Sequence, residues 1–232
     1  MQAALVLMSR APVPGKTKTR LESHLKAEEC AELHQAFLKD INNKLLNLKK
    51  IYSRLDLYLS YTPKNSSDLF AEIIDEEFTR IPQRGENLGS RMYNAVVDAY
   101  QKSKLPVIIT GSDLPLLDID IFKEALAGLK ERDIVIGPSE DGGYYLIGMK
   151  KADKFLFDFE KWGDASVLEQ TIREASKHNL KSHFLPEVSD VDTFKELLEL
   201  RSKLINKDGI SNYPQHTKEL LDQIFNYSNH GG

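Results

Sequence analysis

The chain has 232 residues and a net formal charge of -4, with 41% hydrophobic and 28% charged residues. This is the balance of a globular protein with ample material for a buried core, and the lack of a basic excess argues against wholesale nucleic-acid binding. A single cysteine, Cys30, excludes an internal disulfide and a cysteine-rich zinc site, so we expect a reducing compartment, the cytoplasm.

The predicted elements begin with an apolar run from Ala3 to Met8, which is typical of a strand buried on both faces. The run is too short to span a membrane and lacks the cationic lead and cleavage region of a signal peptide. Apolar residues at helical spacing between 33 and 48 predict a first helix. Downstream, the patterns predict a strand in RLDLYLS, a helix beginning at Leu88, strands in LPVIITGSD, DIVIGP, YYLIGM and KSHFLP, and a helix around 122–129.

Two capping boxes, Ser166 with Glu169 and Thr193 with Glu196, predict that helices begin at those points. The near-continuous alternation of strands and helices predicts a mostly parallel sheet covered by helices on both faces. Ligands bind such sheets at the carboxyl ends of the strands.

The C-terminal tail has a different character. After Leu204 the sequence is polar and punctuated, and a short amphipathic helix follows at 220–225. We therefore expect one main domain over residues 1–204 and a helical appendage over residues 205–232.

The first predicted strand leads into a basic loop, SRAPVPGKTKTRL. Gly15, Lys16 and Thr17 match the end of a P-loop, but Arg10 stands where the first glycine of that motif belongs. Two prolines in the loop also remove N–H donors that a backbone phosphate wrap needs. The cations Arg10, Lys16, Lys18 and Arg20 could instead hold a polyphosphate through their side chains, the alternative being a solvated basic loop.

Carboxylates follow two later elements. Asp113 follows the strand in LPVIITGSD and is expected at the carboxyl edge of the sheet, where it could hold Mg²⁺ or Mn²⁺. Asp190 and Asp192, in DVDT, precede the second predicted capping box and could complete a metal site. The alternative is that all three fill ordinary turn or helix-end roles.

Two glycine-containing segments remain. In SEDGGYY, Glu140 and Asp141 could orient an acceptor hydroxyl or amine, or the segment could simply be a turn into a strand. PQRGENLG forms a predicted loop before a helix, with Arg84 and Asn87 available for hydrogen bonding. Trp162 is interpreted as a core residue in preference to a pocket wall. The histidines form no metal-binding spacing and no convincing Ser/His/Asp arrangement.

Taken in order, these segments resemble the bacterial glycosyltransferase-like nucleotide-diphospho-sugar transferases. That family is related to the 2-phospholactate guanylyltransferases and the molybdenum-cofactor nucleotidyltransferases. The likeness covers roughly residues 3–200, and it depends on the motifs APVPGKTKTRL, RGENLGSRM, GSDLP, GPSEDGGYYLIG, WGD with VLEQT, and DVDT.

The resemblance implies a GT-A type fold, a three-layer α/β/α Rossmann-like sandwich around a mostly parallel mixed sheet. It implies nucleotide contacts by Arg10, Pro14, Gly15, Lys16, Lys18, Arg20, Arg84, Asn87, Leu88, Gly89 and Ser112. It implies acceptor contacts by Glu140, Asp141, Gly142 and Gly143, and a divalent cation, Mg or Mn, on Asp113 and Asp192. The sequence departs from the family's usual Asp-x-Asp, because Gly111-Ser112-Asp113 supplies only one local carboxylate.

The function predicted first is metal-dependent nucleotidyl transfer from an NTP to a phosphorylated small molecule, with pyrophosphate released. Four cations in one loop suit a triphosphate better than the diphosphate of a sugar donor. The predicted catalytic residues are Lys16, Arg20, Asp113 and Asp141. The alternatives are glycosyl transfer from an NDP-sugar and a non-catalytic nucleotide-binding module. The expected partners are therefore a nucleotide or nucleotide-sugar and a small acceptor, without nucleic acid or membrane, and the oligomeric state stays open.

Overall fold

The computed structural model describes residues 2–159, 162, 166–206 and 212–227. Within these residues, seven strands form one sheet in the order β3-β2-β1-β4-β6-β5-β7. The strands are β1 (Ala3–Arg10), β2 (Leu55–Thr62), β3 (Phe78–Pro82), β4 (Val107–Thr110), β5 (Ile134–Pro138), β6 (Tyr144–Met149) and β7 (Ser182–Phe184). The helices are α1 (Ala27–Ile51), α2 (Leu88–Ser103), α3 (Ile119–Glu131), α4 (Val167–Lys177), α5 (Phe194–Asn206) and α6 (Gln215–Tyr227).

The sheet is mixed and mostly parallel, as predicted. Strand β6 runs antiparallel to both of its neighbours, β4 and β5, while the other neighbouring strands pair in parallel. The carboxyl ends of β1, β2 and β4 therefore open at the same edge. The loops that follow β1 and β4 are the basic loop and the segment containing Asp113.

Helices cover both faces of the sheet, so that the sheet and its two helical layers form three layers in all. On one face, α1 and α3 bury Leu45 and Phe122 in a cluster with residues of β1, β2, β4, β5 and β6, and α3 itself contacts β5 and β6. On the other face, α2 and α4 bury Val96 and Ala175 against β1, β4, β5 and β6. The apolar runs in the central strands have this origin, because a strand covered on both sides must be apolar on both sides.

A third apolar cluster joins the basic loop to the C-terminal helices. It contains Leu21 from the basic loop, Phe37 from α1, Leu200 from α5, and Leu221 from α6. Helix α6 is thus packed against the main domain. The predicted domain boundary at residue 204 stays a prediction, since residues 207–211, which link α5 to α6, lie outside the described part of the chain.

Two features differ from the predictions. Strand β3, at the sheet edge, was not predicted, because FTRIP is short and ends in proline, which is unusual within a strand. The helix start predicted at Ser166 is confirmed, since α4 begins at the next residue, but the capping box itself is not formed: Ser166 has φ -101° and ψ -5° and makes no side-chain capping bond. An N-cap normally has extended backbone, and Gln170 instead donates to Ser166 Oγ at 2.7 Å.

The second capping box is confirmed. Glu196 Oε2 accepts hydrogen bonds of 2.7 Å from the backbone N–H groups of Asp192 and Thr193. Since α5 begins at Phe194, these bonds fix Asp192 two residues before the helix. Over the described residues, we find no helix with both the length and the apolar character needed to cross a membrane.

Candidate active site

A cavity of about 520 Å³ opens at the carboxyl ends of β1 and β4. Its walls come from the end of β1, the basic loop, the start of α2 and the loop after β4. Arg10, Lys18 and Arg20 contribute cations, and Asp113 and Asp192 contribute carboxylates. Segments from the first and the last parts of the chain thus meet around one cavity, at the edge predicted from the strand pattern.

Lys18 lies at the centre of this arrangement. Its Nζ atom lies 3.0 Å from Oδ1 of Asp113 and 3.0 Å from Oδ1 of Asp192, and it donates to the backbone oxygen of Val191 at 2.7 Å. The Lys18 side chain is only 3% exposed. Burial disfavours the ammonium, but the two carboxylates outweigh that cost and raise the pKa of Lys18 above its ordinary value. The lysine is therefore a fixed positive charge in this state.

Arg20 flanks the same carboxylates from the solvent side. Its NH1 atom lies 3.4 Å from Oδ2 of Asp192, and its side chain is 73% exposed. Arg20 and Asp113 thus stand at one rim: Arg20 pairs with Asp192 directly, and Asp113 is connected to Asp192 through Lys18. An exposed guanidinium at this distance adds little stability, so it remains available to an anionic ligand.

The remaining predicted residues of the basic loop lie farther out. Arg10 is exposed, lines the cavity and donates from NH1 to the backbone oxygen of Lys16 at 2.8 Å. Pro14, Gly15 and Lys16 form an exposed turn and do not line the cavity. Gly15 has a φ of +71°, which is the left-handed backbone that glycine tolerates best. The turn is joined to the cavity wall through the bond between Lys16 and Arg10.

His34, a residue of α1, lies behind Asp113. His34 is buried, and its Nδ1 lies 3.5 Å from Oδ1 of Asp113. Its Nε2 lies 3.0 Å from Ser9 Oγ, at the end of β1. Burial alone would raise the pKa of Asp113, but the charge of Lys18, with further contributions from His34, holds it well below the usual range. Asp113 is therefore a carboxylate at every pH at which the protein is expected to work.

Further carboxylates surround this pair. Burial, followed by the charges of Asp192 and Asp141, raises the pKa of Asp190 to about 6. Asp190 does not itself line the main cavity, and its raised pKa reflects its burial and the carboxylates beside it. Over the described residues, no group of three or more acidic, histidine or cysteine side chains is placed as a ready metal centre. The oxygen donors of Asp113 and Asp192 nevertheless fit a hard divalent ion, because both face a single cation position.

A second cavity of about 200 Å³ adjoins the first. Asp141 and Gly143 line it, whereas Glu140 is exposed and Gly142 forms the turn between them with a φ of +85°. Oδ1 of Asp141 accepts hydrogen bonds from Ser139 Oγ and from the N–H of Gly143 at 3.0 Å. Asp141 therefore fixes a turn and also lines a cavity, and its role toward an acceptor stays a prediction.

Trp162 forms part of the wall of the second cavity. Its indole ring lies 5.4 Å from the ring of Phe159 and 6.5 Å from that of Tyr144. A Cβ atom added to Gly89 would lie 2.2 Å from the Trp162 indole, so only glycine fits beneath the ring. Trp162 is thus a pocket wall as well as a core residue.

The RGENLG segment supplies the start of α2. Asn87 caps the helix by accepting from Ser90 N at 2.8 Å, and Arg84 forms an ion pair with Asp98 at 2.6 Å. Leu88 is half exposed and lines both cavities, whereas Arg84, Asn87 and Gly89 line neither. Ser112, after β4, lines the main cavity next to Asp113.

Sequence reasoning missed three polar residues of the main cavity. His34 was passed over because it lies among the core residues of α1. Gln83 donates to the backbone oxygens of Ser60 and Ser9, at 2.9 and 3.3 Å, and so ties the ends of β2 and β1 together. Arg91 donates from Nε to the oxygen of Gly85 at 3.1 Å. Arg91 lies within RGENLGSRM, so that motif was the available signal.

Comparison with known proteins shows the family to which the chain belongs. Residues 47–164 match the family described as "Uncharacterized protein conserved in bacteria (DUF2064)". The chain belongs to this family. It is also similar to the 2-phospho-L-lactate guanylyltransferase of Methanocaldococcus vulcanius, with 26% identity over 95% of this chain and 90% of that protein.

Solved structures agree with this placement. A Desulfovibrio desulfuricans G20 protein assigned as a nucleotide-diphospho-sugar transferase superposes with a TM-score of 0.84 and 30% identity, covering 96% of this chain and 95% of that one. A manganese complex of a Mycobacterium tuberculosis protein shares the fold at a TM-score of 0.50 and 11% identity, over 86% of this chain and 98% of that one. The predicted family resemblance, fold and transferase class are confirmed, because the relatives are named as nucleotidyl or sugar transferases.

Proposed function

We propose that this protein is a nucleotidyltransferase. A phosphorylated small molecule would attack the α-phosphate of an NTP, and pyrophosphate would leave. The observation that carries the proposal is the single rim at which Lys18 and Arg20 meet Asp113 and Asp192. The guanylyltransferase name of the M. vulcanius relative supports the same class of reaction and makes GTP the first donor to test.

The basic loop would bind the triphosphate. Arg10, Lys18 and Arg20 line the cavity, and Lys16 lies beside Arg10, so charge developing on the phosphates would be stabilised by nearby cations. Catalysis would consist mainly of positioning and charge neutralisation. The proposed nucleotide-contacting residues are Arg10, Pro14, Gly15, Lys16, Lys18, Arg20, Arg84, Asn87, Leu88, Gly89 and Ser112.

The second cavity would take the acceptor. Asp141 and Gly143 face it, and Glu140 and Gly142 complete the turn that holds them. It adjoins the main cavity through shared residues, including Asp113 and Leu88. An acceptor bound there would therefore lie beside the phosphates.

Asp113 and Asp192 would hold a divalent cation, Mg or Mn. When bound, such an ion neutralises phosphate charge and orients the phosphoryl oxygens. The protein's part is to keep Asp113 ionised and to fix Asp192 at the start of α5 through Glu196. The manganese in the M. tuberculosis structure is consistent with this assignment.

Glycosyl transfer is the second candidate, favoured by the sugar-transferase assignment of the D. desulfuricans structure and by Asp141 in the second cavity. In that reaction Asp141 would accept a proton from an acceptor hydroxyl. The phosphorus product distinguishes the two, because nucleotidyl transfer releases pyrophosphate and glycosyl transfer releases NDP.

Phosphorus NMR of the protein with Mg²⁺ or Mn²⁺ tests both functions. One set of samples would hold an NTP and phosphorylated acceptors, and another an NDP-sugar and hydroxyl acceptors. We expect pyrophosphate from the first set. Asp113→Asn should lower its rate about 100-fold, whereas Asp120→Asn, a surface aspartate of α3 paired with Lys123, should not change it. NDP in the second set alone would replace the proposal with glycosyl transfer, and binding without any product would indicate a non-catalytic module.

A further inference from the structure

The position between Asp113 and Asp192 already holds a positive charge. Lys18 Nζ lies 3.0 Å from one oxygen of each carboxylate, which is an ammonium-to-oxygen distance. A divalent ion bound to the same two oxygens would lie about 2.0 to 2.6 Å from each of them. The ion and the ammonium would then be only a few ångströms apart, and their charges would repel each other. The two cations therefore exclude one another from this position.

We propose that the Lys18 ammonium is an exchangeable occupant of the carboxylate pair, displaced into the main cavity when a divalent ion binds Asp113 and Asp192. This inference rests on the proposed function, which places the ion on those two residues. Lys18 would then have two roles. Without ligand it pairs the carboxylates, and with the ion bound it meets the phosphates.

The side chain is suited to such a movement. Lys18 itself lines the main cavity, so the released ammonium has the triphosphate region directly beside it. The lysine stem has four flexible carbons and carries a point charge without fixed planar geometry. Its contacts are also replaceable: one backbone oxygen, two carboxylate oxygens and the face of Phe37, whose ring centroid lies 5.5 Å from Nζ.

The resident ammonium also has a reason to be there. Two neighbouring carboxylates that are each only about one-third exposed repel one another and are incompletely solvated when no cation lies between them. Lys18 keeps both carboxylates paired while the site is empty of ligand. The ammonium thereby reduces the repulsion between the two carboxylates until a divalent ion binds and neutralises them instead.

The first test is an Mn²⁺ titration without nucleotide, followed by electron paramagnetic resonance. Lys18→Met removes the competing ammonium and should bind Mn²⁺ about tenfold more tightly than the parent protein. Lys16→Met removes the same charge from an exposed position in the same loop, and its Mn²⁺ affinity should stay within about twofold of the parent value. Equal affinity in Lys18→Met and Lys16→Met would overturn the proposal.

The second test uses the unaltered protein, in case Lys18→Met does not fold. Reductive methylation of lysines, quantified by mass spectrometry, reports how accessible each amine is. Adding Mn²⁺ should raise the methylation rate of Lys18 several-fold and leave that of Lys16 unchanged. A Lys18 rate that does not change at saturating Mn²⁺ would overturn the proposal. Both tests omit nucleotide and acceptor, so their outcome is independent of whether pyrophosphate release is found.

Discussion

Nδ1 of His34 lies 3.5 Å from Oδ1 of Asp113, at the inner wall of the main cavity. The other ring nitrogen lies 3.0 Å from Ser9 Oγ and 3.1 Å from the backbone oxygen of Arg10. The imidazole therefore joins the end of β1 to the loop after β4. We expect this contact to help position the carboxylate on which the proposed chemistry depends.

His34→Ala should reduce kcat about tenfold with a smaller change in KM, because Asp113 loses its orientation while the nucleotide contacts remain. It should also lower the free energy of unfolding by about 1 to 3 kcal/mol, since buried polar groups lose their partner. Pyrophosphate release at saturating substrates and urea unfolding measure the two effects. His178→Ala is the matched control. The His178 ring stacks on that of Phe155, with 3.6 Å between the ring centroids, and His178 does not line the main cavity. An unchanged kcat in His34→Ala would refute the positioning role.

The burial of Lys44 leads us to expect that the free energy of unfolding depends on pH. Its Nζ donates to the backbone oxygens of Pro115 and Leu117, at 2.5 and 3.0 Å, beneath the loop that carries Asp113. Burial lowers the pKa of Lys44 from 10.5 to about 8, against the attraction of Asp40 and Asp118. Between these two pH values the unfolded chain binds the proton and the folded protein releases it. The free energy of unfolding should therefore rise with pH across this window.

Urea unfolding at pH 7 and pH 10 checks this sign. The parent protein should gain on the order of 2 kcal/mol relative to Lys44→Met over that interval. Lys50→Met, which removes an exposed lysine of the same helix, should follow the parent protein at both pH values. If Lys44→Met and the parent changed in parallel, the lysine would have an ordinary pKa in the folded state.

Gly89→Ala tests the contact between α2 and Trp162. The added methyl group would lie 2.2 Å from the indole and 2.5 Å from the backbone oxygen of Phe157, so the ring must move. We expect a loss of about 1 to 3 kcal/mol and a red-shifted tryptophan emission. Trp162 is the single tryptophan in the sequence, so the emission reports this site alone. Gly111→Ala, where a Cβ meets no atom within 4 Å, should retain the parent stability and so separates a steric effect from a loss of glycine.

Asp40 forms hydrogen bonds to the first turn of the C-terminal helix α6, and we expect these bonds to stabilise the protein. Its carboxylate, on α1, accepts from the N–H and Oγ1 of Thr217 at 2.8 and 2.6 Å and from the N–H of His216 at 3.1 Å. It therefore caps α6 from another helix. Asp40→Ala should destabilise the protein by about 2 kcal/mol, since the freed donors are buried.

The double-mutant cycle of Asp40→Ala with Thr217→Val measures this bond. A coupling energy of about 1 kcal/mol or more in urea unfolding is expected. Strictly additive single effects would mean that the cap contributes nothing and that α6 is held by its apolar face alone.

The sequence pattern predicted those parts of the fold that depend on local signals. The run beginning at Ala3 indicated a doubly covered strand, and the capping box at Thr193 placed the start of α5 correctly. Ser166 showed the limit of that signal, because the letters of a capping box do not fix the backbone conformation that the cap requires. Strand β3 was missed since its pairing is supplied by β2, which a local window does not include.

The location of the candidate site could be predicted from the sequence, but the ion pairs within it could not. Asp113 could be placed at the sheet edge because it follows a buried strand. The spacing gave no way to choose which of four cations would meet Asp113 and Asp192, as this depends on the path of the loop, where Lys18 adopts a left-handed φ of 52°. His34 was overlooked for a related reason, since a helical residue can face both the core and a cavity.

The bond between Lys18 and Asp192 joins residues 174 positions apart. During synthesis, the ammonium has left the ribosome long before its carboxylate partner exists, and β1 to β4 can pair in the meantime. A refolding intermediate with those strands intact would still lack half of the rim. We therefore expect that nucleotide does not accelerate an early phase of refolding. It should bind only late, to molecules in which Lys18 and Asp192 have already come together.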